Sequence, residues 1–344
     1  MAKVSICLPN LNTARYLPER LDSILAQTFS DWECVVSDNF SDDGAWDILR
    51  QYGEKDSRFK LAQAAKDERG MYPNWNNCIR RATGDFVYFA TSDDTMAHDC
   101  LEKMVGELER HPECGLCQCG LDVIDEQGRP HSWRWQDCSF GRFAPEWLMR
   151  KHVRAAPMDG LLHFALQTVY TSITQVLMRR SVFEKYGLFE TRWGSAADFE
   201  WGMRVGLLES CVYIPEVLAS WRVHPSQATG QTESSSARRR LLDMATSAYG
   251  KAIGFQPAMA GRLPSLDTLS EFYEEQIASF AMNENRSGIR RSLFLLRETL
   301  SGSRAALRCL CSRHIPDSFR EESQFRRLRA LLDAANVPAP CFAD

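Results

Sequence analysis

No run of apolar residues in this 344-residue chain approaches the ~18 that a membrane-crossing helix requires. The opening MAKVSICLPN lacks the charged segment and apolar core of an export signal. A cytoplasmic protein is expected. Positive charge is not in excess either: 41 Lys and Arg against 45 Asp and Glu give a net -4, so no bulk attraction draws the chain to nucleic acid, and no nucleic-acid partner is expected. A disulfide scaffold is disfavoured on other grounds. The 12 cysteines are scattered along a long chain without an export signal, which favours reduced thiols. The one tight cluster, Cys114, Cys117 and Cys119 in CGLCQCGL, has no second ligand pair at zinc-finger spacing. It lies in a strand-like apolar segment, where packing is its ordinary role. No internal repeat is visible, and the segment PNLNTARYLPER after the first strand-like run has no glycine with which to build a phosphate loop.

What is present is an ordinary globular composition, 44% hydrophobic and 25% charged, in a chain long enough for one large domain with an appendage or for two domains. The N-terminal part alternates strand and helix patterns. VSICLP is a β-rich run stopped by proline, and YLPERLDSILAQTF follows with helical spacing at Leu17, Leu21, Ile24 and Leu25. WECVVSD predicts a second strand, NFSDDG a turn and AWDILRQY a helix. FKLAQ is a weaker strand, YPNWNNCIRRATG a helix and DFVYFA a fourth strand. This order predicts an α/β fold with a mostly parallel, Rossmann-like sheet flanked by helices, whose ligands bind beyond the carboxyl ends of the strands. Polar residues stand at those ends: Pro9 and Asn10, Asp38 and Asn39, Asp93 and Asp94.

Beyond CGLCQCGLDVIDEQGRP the pattern is irregular to about residue 170 and rich in Trp, Arg and His, as a substrate-facing wall would be. Regular patterns return in TSITQVLMRRSVFEKYGLF, AADFEWGMRVGLL and CVYIPEVLASWRVH. After the polar junction GQTESSSARRR, residues 231–344 read as an α-helical C-terminal region. Residues 1–230 then form the main domain, with a nucleotide half to about 120 and an acceptor half from about 121.

Adjacent carboxylates after a strand suggest a divalent cation site, since Mg2+ or Mn2+ prefers hard oxygen ligands. Helix capping by SDD is an equally available reading of Ser92, Asp93 and Asp94. The surrounding segments tilt the balance. SICLPNLNTARYLPERLDSILAQTFSDWECVVSDNFSDDG followed by NWNNCIRRATGDFVYFATSDD resembles the opening of family 2 glycosyltransferases with a type A (GT-A) nucleotide-sugar-binding fold. GSAADFEWGMR and IPEVLASWRVHPSQAT resemble later segments of that family, so the resemblance reaches about residue 230.

The resemblance implies an inverting, metal-dependent transfer of a sugar from a nucleotide-sugar donor to an acceptor hydroxyl, in polysaccharide or glycolipid synthesis. It implies donor contacts at Pro9, Asn10, Asn12, Asp38, Asn39, Asn77, Ser92 and Asp93, with Asp38 on the base and ribose. It places Mn2+ or Mg2+ on Asp93 with Asp94 and His224, makes Asp198 the catalytic base, and puts Glu200, Arg204, Trp193 and Arg222 against acceptor or phosphate. Two departures stand out: Thr91 replaces the first Asp of the usual DxD, and Ala197 the acidic residue before Asp198. The chemistry agrees, because a diphosphate leaving group accumulates charge that a cation offsets, and a hydroxyl nucleophile needs a carboxylate to take its proton.

Blander roles compete. Asp38 fits a turn cap, Asp198 a helix cap, Arg204 an ion pair and His224 a packed imidazole, while Trp133, Trp135, Trp147 and Trp193 suit either sugar stacking or core filling. Two other functions compete as well: a sugar-nucleotide nucleotidyltransferase, and a catalytically silent nucleotide-sugar-binding module whose helical tail does the work. The expected partners are a nucleoside diphosphate sugar and a saccharide or lipid-linked acceptor. The clusters ARRR and QFRRLRALL beside apolar faces suggest peripheral contact with the inner face of a membrane, and the helical tail suits homo-oligomer formation.

Overall fold

All seven residues of Val4–Asn10 (β1) are buried, the pattern of a strand covered on both faces. It pairs in parallel with β2 (Trp32–Asp38), which carries β3 (Phe59–Gln63) beyond it, and on its other side with β4 (Phe86–Phe89). The crossovers are α1 (Leu17–Leu25) and α2 (Ala45–Lys55), apolar on the face they turn to the sheet, and α3 (Met71–Arg81), which adds buried asparagines bonded to Ser37 of β2. Register sets Asn10 opposite Asp38 and Asp38 opposite Gln63, so three strands end together at one edge. The computed structural model describes residues 2–64, 70–225, 227, 235–283, 288–312 and 314–342.

The chain continues through β5 (Thr95–Met96), α4 (Cys100–Arg110), β6 (Cys114–Ile124), α5 (Ser139–Phe143), β7 (His152–Arg154), α6 (Met158–Leu166), β8 (Val176–Arg179), α7 (Arg180–Tyr186), α8 (Ala197–Gly206) and β9 (Ser210–Arg222). The C-terminal helices are α9 (Ser235–Phe255), α10 (Leu266–Asn283), α11 (Gly288–Leu300), α12 (Arg304–Ser312) and α13 (Glu321–Ala334), followed by β10 (Cys341–Phe342). The sheet runs β10-β7-β9-β6-β8-β4-β1-β2-β3, with β5 on β9. Strands β1 to β4 pair in parallel, in line with the expected mostly parallel sheet. They join β6 through β8, which is antiparallel to both β4 and β6. Cys114, Cys117 and Cys119 lie buried in β6.

Gly84 enters β4 where a Cβ would stand 2.7 Å from the Ser5 backbone nitrogen, so only glycine fits that approach. A second tight contact positions α8. A Cβ on Gly206 would lie 2.7 Å from the Gly160 nitrogen of α6, and one on Gly160 would meet Leu207. Gly206→Ala is therefore expected to destabilise the protein by about 1–3 kcal/mol through overpacking. Denaturant unfolding checks this, and an unchanged midpoint would contradict the close crossing.

The helical region does not stand apart from the sheet. α9 packs on α8, and α10 and α13 pack on α6. Tyr249, Phe272, Tyr273 and Leu328 belong to the same buried cluster as β1 and β4. The chain then returns as β10 to pair with β7, a strand that the helical reading of residues 231–344 did not include.

Candidate active site

A crevice of about 510 Å³ opens at the carboxyl ends of β1, β2 and β4, lined among others by Pro9, Asn10, Asn12, Asn39, Asn74 and Thr91 through Asp94. Its β1–β2 side is held by a closed hydrogen-bond network. Asp38 is fully buried: Oδ1 accepts from Asn10 Nδ2 and Ser41 Oγ, both at 2.7 Å, and Oδ2 accepts from the Ser41 N–H at 3.0 Å. Asn12 ties the loops by accepting from the Asp42 N–H and donating its own N–H to Ser41 Oγ. Two amide oxygens in the crevice, Asn39 Oδ1 and Asn74 Oδ1, are buried without a hydrogen-bond partner. Such orphans cost about 1–3 kcal/mol each unless a ligand satisfies them.

On the opposite wall Asp93 and Asp94 diverge. Asp93 is a quarter exposed at its side chain, with Oδ2 3.1 Å from His224 Nε2. Asp94 is 1% exposed; its Oδ1 accepts from the Arg222 N–H at 2.8 Å and its Oδ2 accepts from the Thr91 hydroxyl. Burial, and next the Asp93 charge, pushes the Asp94 carboxyl up to about 7. Arg222 braces this loop from behind. Its guanidinium donates to the Asp93 carbonyl at 2.7 Å, to the Asp125 carbonyl at 3.1 Å and to Glu19 at 2.6 Å.

Asp198, in the first turn of α8, lies where the crevice meets a second cavity of about 430 Å³; both are lined by Asp198, Thr171 and Ile173. The second cavity is walled by Trp193 and Phe199, floored by His163, and closed on one side by Leu241 and Met244 of α9. The C-terminal region thus completes it. Burial raises the Asp198 carboxyl above its ordinary value, while the Tyr72 hydroxyl beside it pulls it partly back. Burial pulls the His163 imidazole down to about 4, so it is neutral near pH 7 and offers hydrogen bonds without charge.

Residues 5–187, just over half of the chain, match the glycosyl transferase family 2. The chain belongs to that family. A putative glycosyltransferase of Bacillus subtilis, EpsE, is 36% identical over 127 residues, which is 37% of this chain and 45% of that protein. The teichuronic acid biosynthesis glycosyltransferase TuaG of the same organism, also described as putative, is 32% identical over 37% of this chain and 50% of its own. The matched part therefore spans about half the length of these relatives. Among solved structures, S. aureus TarS 1-349 in complex with UDP-GlcNAc aligns with a TM-score of 0.56 at 15% identity, over 96% of this chain and 92% of that one. The mannosyltransferase PcManGT from Pyrobaculum calidifontis, in complex with GDP-Man and Mn2+, gives 0.54 at 20% identity, over 98% and 86%. At such identities the likeness is one of fold, the GT-A type.

Within this family 2 chain the expected site residues divide. Pro9, Asn10, Asn12, Asn39, Ser92, Asp93, Asp94, His224 and Asp198 line one crevice. Trp193 lines the adjoining cavity. Five of the expected residues line neither cavity. Asp38 shapes the crevice through Asn10 and Ser41 and does not line it. Asn77 points its amide to Ser37 Oγ, 3.0 Å away behind the sheet edge, and Asn74, one helical turn earlier, is the residue that reaches the crevice. Glu200 and Arg204 form a buried pair at 2.9 Å, with Arg204 also donating to the Tyr186 and Leu188 carbonyls; this pair fixes the loop before α8 and meets neither cavity. Arg222 is 1% exposed and fully engaged behind the Asp93 loop. The tryptophans divide too, since Trp135 is 1% exposed and Trp133 and Trp147 pack against the core.

Asn74, Thr171 and Ile173 were not expected. The asparagine was legible in YPNWNN, where only helix phase separates it from Asn77. Thr171 and Ile173 open the strand-like TSITQVLM, but the strand begins only at Val176, and Ile173–Gln175 forms a 3-10 turn that brings them to the crevice.

Among the described residues no group of three His, Cys, Asp or Glu side chains is placed to hold a metal. Asp93 and His224 are two adjacent candidates at the crevice. One carboxylate and one imidazole suit a cation that takes its remaining ligands from a diphosphate and water, as Mg2+ and Mn2+ do.

Proposed function

We propose that this protein is an inverting glycosyltransferase, assisted by a divalent cation, that moves a sugar from a nucleoside diphosphate donor to an acceptor hydroxyl in polysaccharide or glycolipid synthesis. The observation that carries the reading is the place of Asp198, one carboxylate shared by the strand-end crevice and the cavity beside it. The donor nucleotide lies in the crevice, where Asn39 Oδ1 and Asn74 Oδ1 accept hydrogen bonds from it. Asp93 and His224 would hold the cation, which would supply positive charge against that growing on the leaving diphosphate. The acceptor enters the second cavity, and Asp198 takes its hydroxyl proton as the oxygen attacks the anomeric carbon. A single base opposite the leaving group gives one displacement and inversion, because double displacement needs a second carboxylate as nucleophile.

The peptide scaffold keeps these groups in place: Arg222 holds the backbone of Asp93, and Asp94 holds Thr91. Thr91 therefore takes part in loop bracing at the position where an acidic residue is usual. The test is a thermal-shift panel of nucleoside diphosphate sugars with and without Mn2+. One donor is expected to raise the midpoint more with Mn2+ than without, and a panel with no donor shift contradicts the reading. Detection of transferred sugar separates the enzyme from a silent binding module.

A further inference from the structure

One face of the C-terminal helices is apolar and open. Along α11, Ile289, Leu293, Leu296 and Leu300 are 77%, 60%, 44% and 81% exposed. Their i, i+4, i+7, i+11 spacing gathers them within about 60° of arc on one side of the helix. Leu310 of α12 lines a shallow groove with three of them, and the neighbouring Leu307 is 46% exposed. The inner face of the hairpin is already packed, since Leu295 joins Ala305, Ala306 and Cys309 in a small core of its own. The outer stripe lies outside that core, and contiguous apolar surface of this kind marks a contact site.

Charge identifies the partner. Residues 288–312 carry five arginines (Arg290, Arg291, Arg297, Arg304 and Arg308), one glutamate and no other charged residue, a net of +4 in a chain whose total is -4. The glutamate, Glu298, is buried and paired with Arg239 at 2.7 Å, so it does not offset the outward field. Arg290, Arg297 and Arg304 are exposed beside the leucines. In the clusters singled out in sequence, Arg239 pairs with Glu298, Arg327 with Glu275, and Arg329 donates to the Phe143 carbonyl; of the hairpin arginines, Arg308 also pairs with Glu275, at 3.2 Å. We propose that the α11–α12 face docks on an anionic lipid bilayer, with the Leu/Ile stripe at the headgroup boundary and the arginines on the phosphates. A second copy fits poorly, because a two-fold contact through this face would set one arginine-rich surface against another. The docking does not depend on the assignment of Asp198.

Sedimentation of the full chain with vesicles tests it. Binding is expected to vesicles containing about one third phosphatidylglycerol, to be weak with phosphatidylcholine alone, and to fall as salt rises. Leu293→Glu with Leu300→Glu should weaken binding by at least about tenfold, and Arg290→Gln with Arg297→Gln and Arg304→Gln on the order of 10²-fold, if each arginine contributes as basic residues near such surfaces do. All these side chains are exposed, so unchanged thermal midpoints confirm that the variants fold. Equal binding to both vesicle types, or to neither, overturns the proposal. So does a vesicle-independent dimer in sedimentation equilibrium that the leucine variants abolish.

Discussion

Asp198→Asn is expected to lower sugar transfer by about 10³-fold while leaving donor binding and stability near wild type, the loss typical of removing a positioned general base. The substitution is conservative where structure is concerned. Asp198 Oδ1 accepts from the Phe199 N–H at 2.9 Å, and an asparagine oxygen at the same place accepts equally well. Only the capacity to take a proton is lost. The pH dependence supplies a second readout. Transfer requires the ionised carboxylate, and burial raises its pKa above the ordinary aspartate value, so kcat/KM should fall as pH drops through a point higher than that of an ordinary aspartate. That acid limb should be absent from the residual activity of the variant. Normal turnover in Asp198→Asn, or an unchanged acid limb, removes Asp198 from the role of base.

How far such a site is legible in sequence depends on what each residue's pattern encodes. Strand ends are encoded by apolar runs that stop at a polar residue, and Asn10, Asp38 and Asp93 were found that way. Which way a side chain turns at a strand end is set by neighbours far off in sequence. Asp38 faces Asn10 and Ser41 because the β1 and β2 loops converge, and nothing within VVSDNFSDDG says so. Helix phase decided between Asn74 and Asn77 within four residues, too fine a distinction for periodicity alone. The pair Glu200 and Arg204 has the i, i+4 spacing of an ordinary helical ion pair, and the structure makes it one, although a buried one. The closure of the second cavity by α9 was beyond reach, because it joins residues on either side of a polar junction. Pairing of Cys341–Phe342 with β7 escaped for the same reason, two residues being too short for any pattern.

The two adjacent carboxylates, alike in sequence, are expected to give opposite results. Asp93→Asn should abolish the Mn2+-dependent part of the donor's thermal shift and reduce transfer on the order of 10²–10³-fold, as loss of charge stabilisation on the leaving group does. Its side chain is partly exposed and, among the described residues, its side-chain partner is His224 at 3.1 Å, so stability without metal should change little. Asp94→Ala should do the reverse in the first instance. It strips the Arg222 N–H and the Thr91 hydroxyl of a buried acceptor, a loss of about 1–3 kcal/mol visible as a lower unfolding midpoint in the absence of any ligand. Asp94→Asn separates the structural role from a ligating one. Its oxygen still accepts from Arg222 and its amide still meets Thr91, so stability should recover, and the Mn2+ response of the donor shift should recover with it. If Asp94→Asn folds normally yet loses that response as completely as Asp93→Asn, then Asp94 turns outward to ligate the cation, and the inward geometry describes only the ligand-free loop.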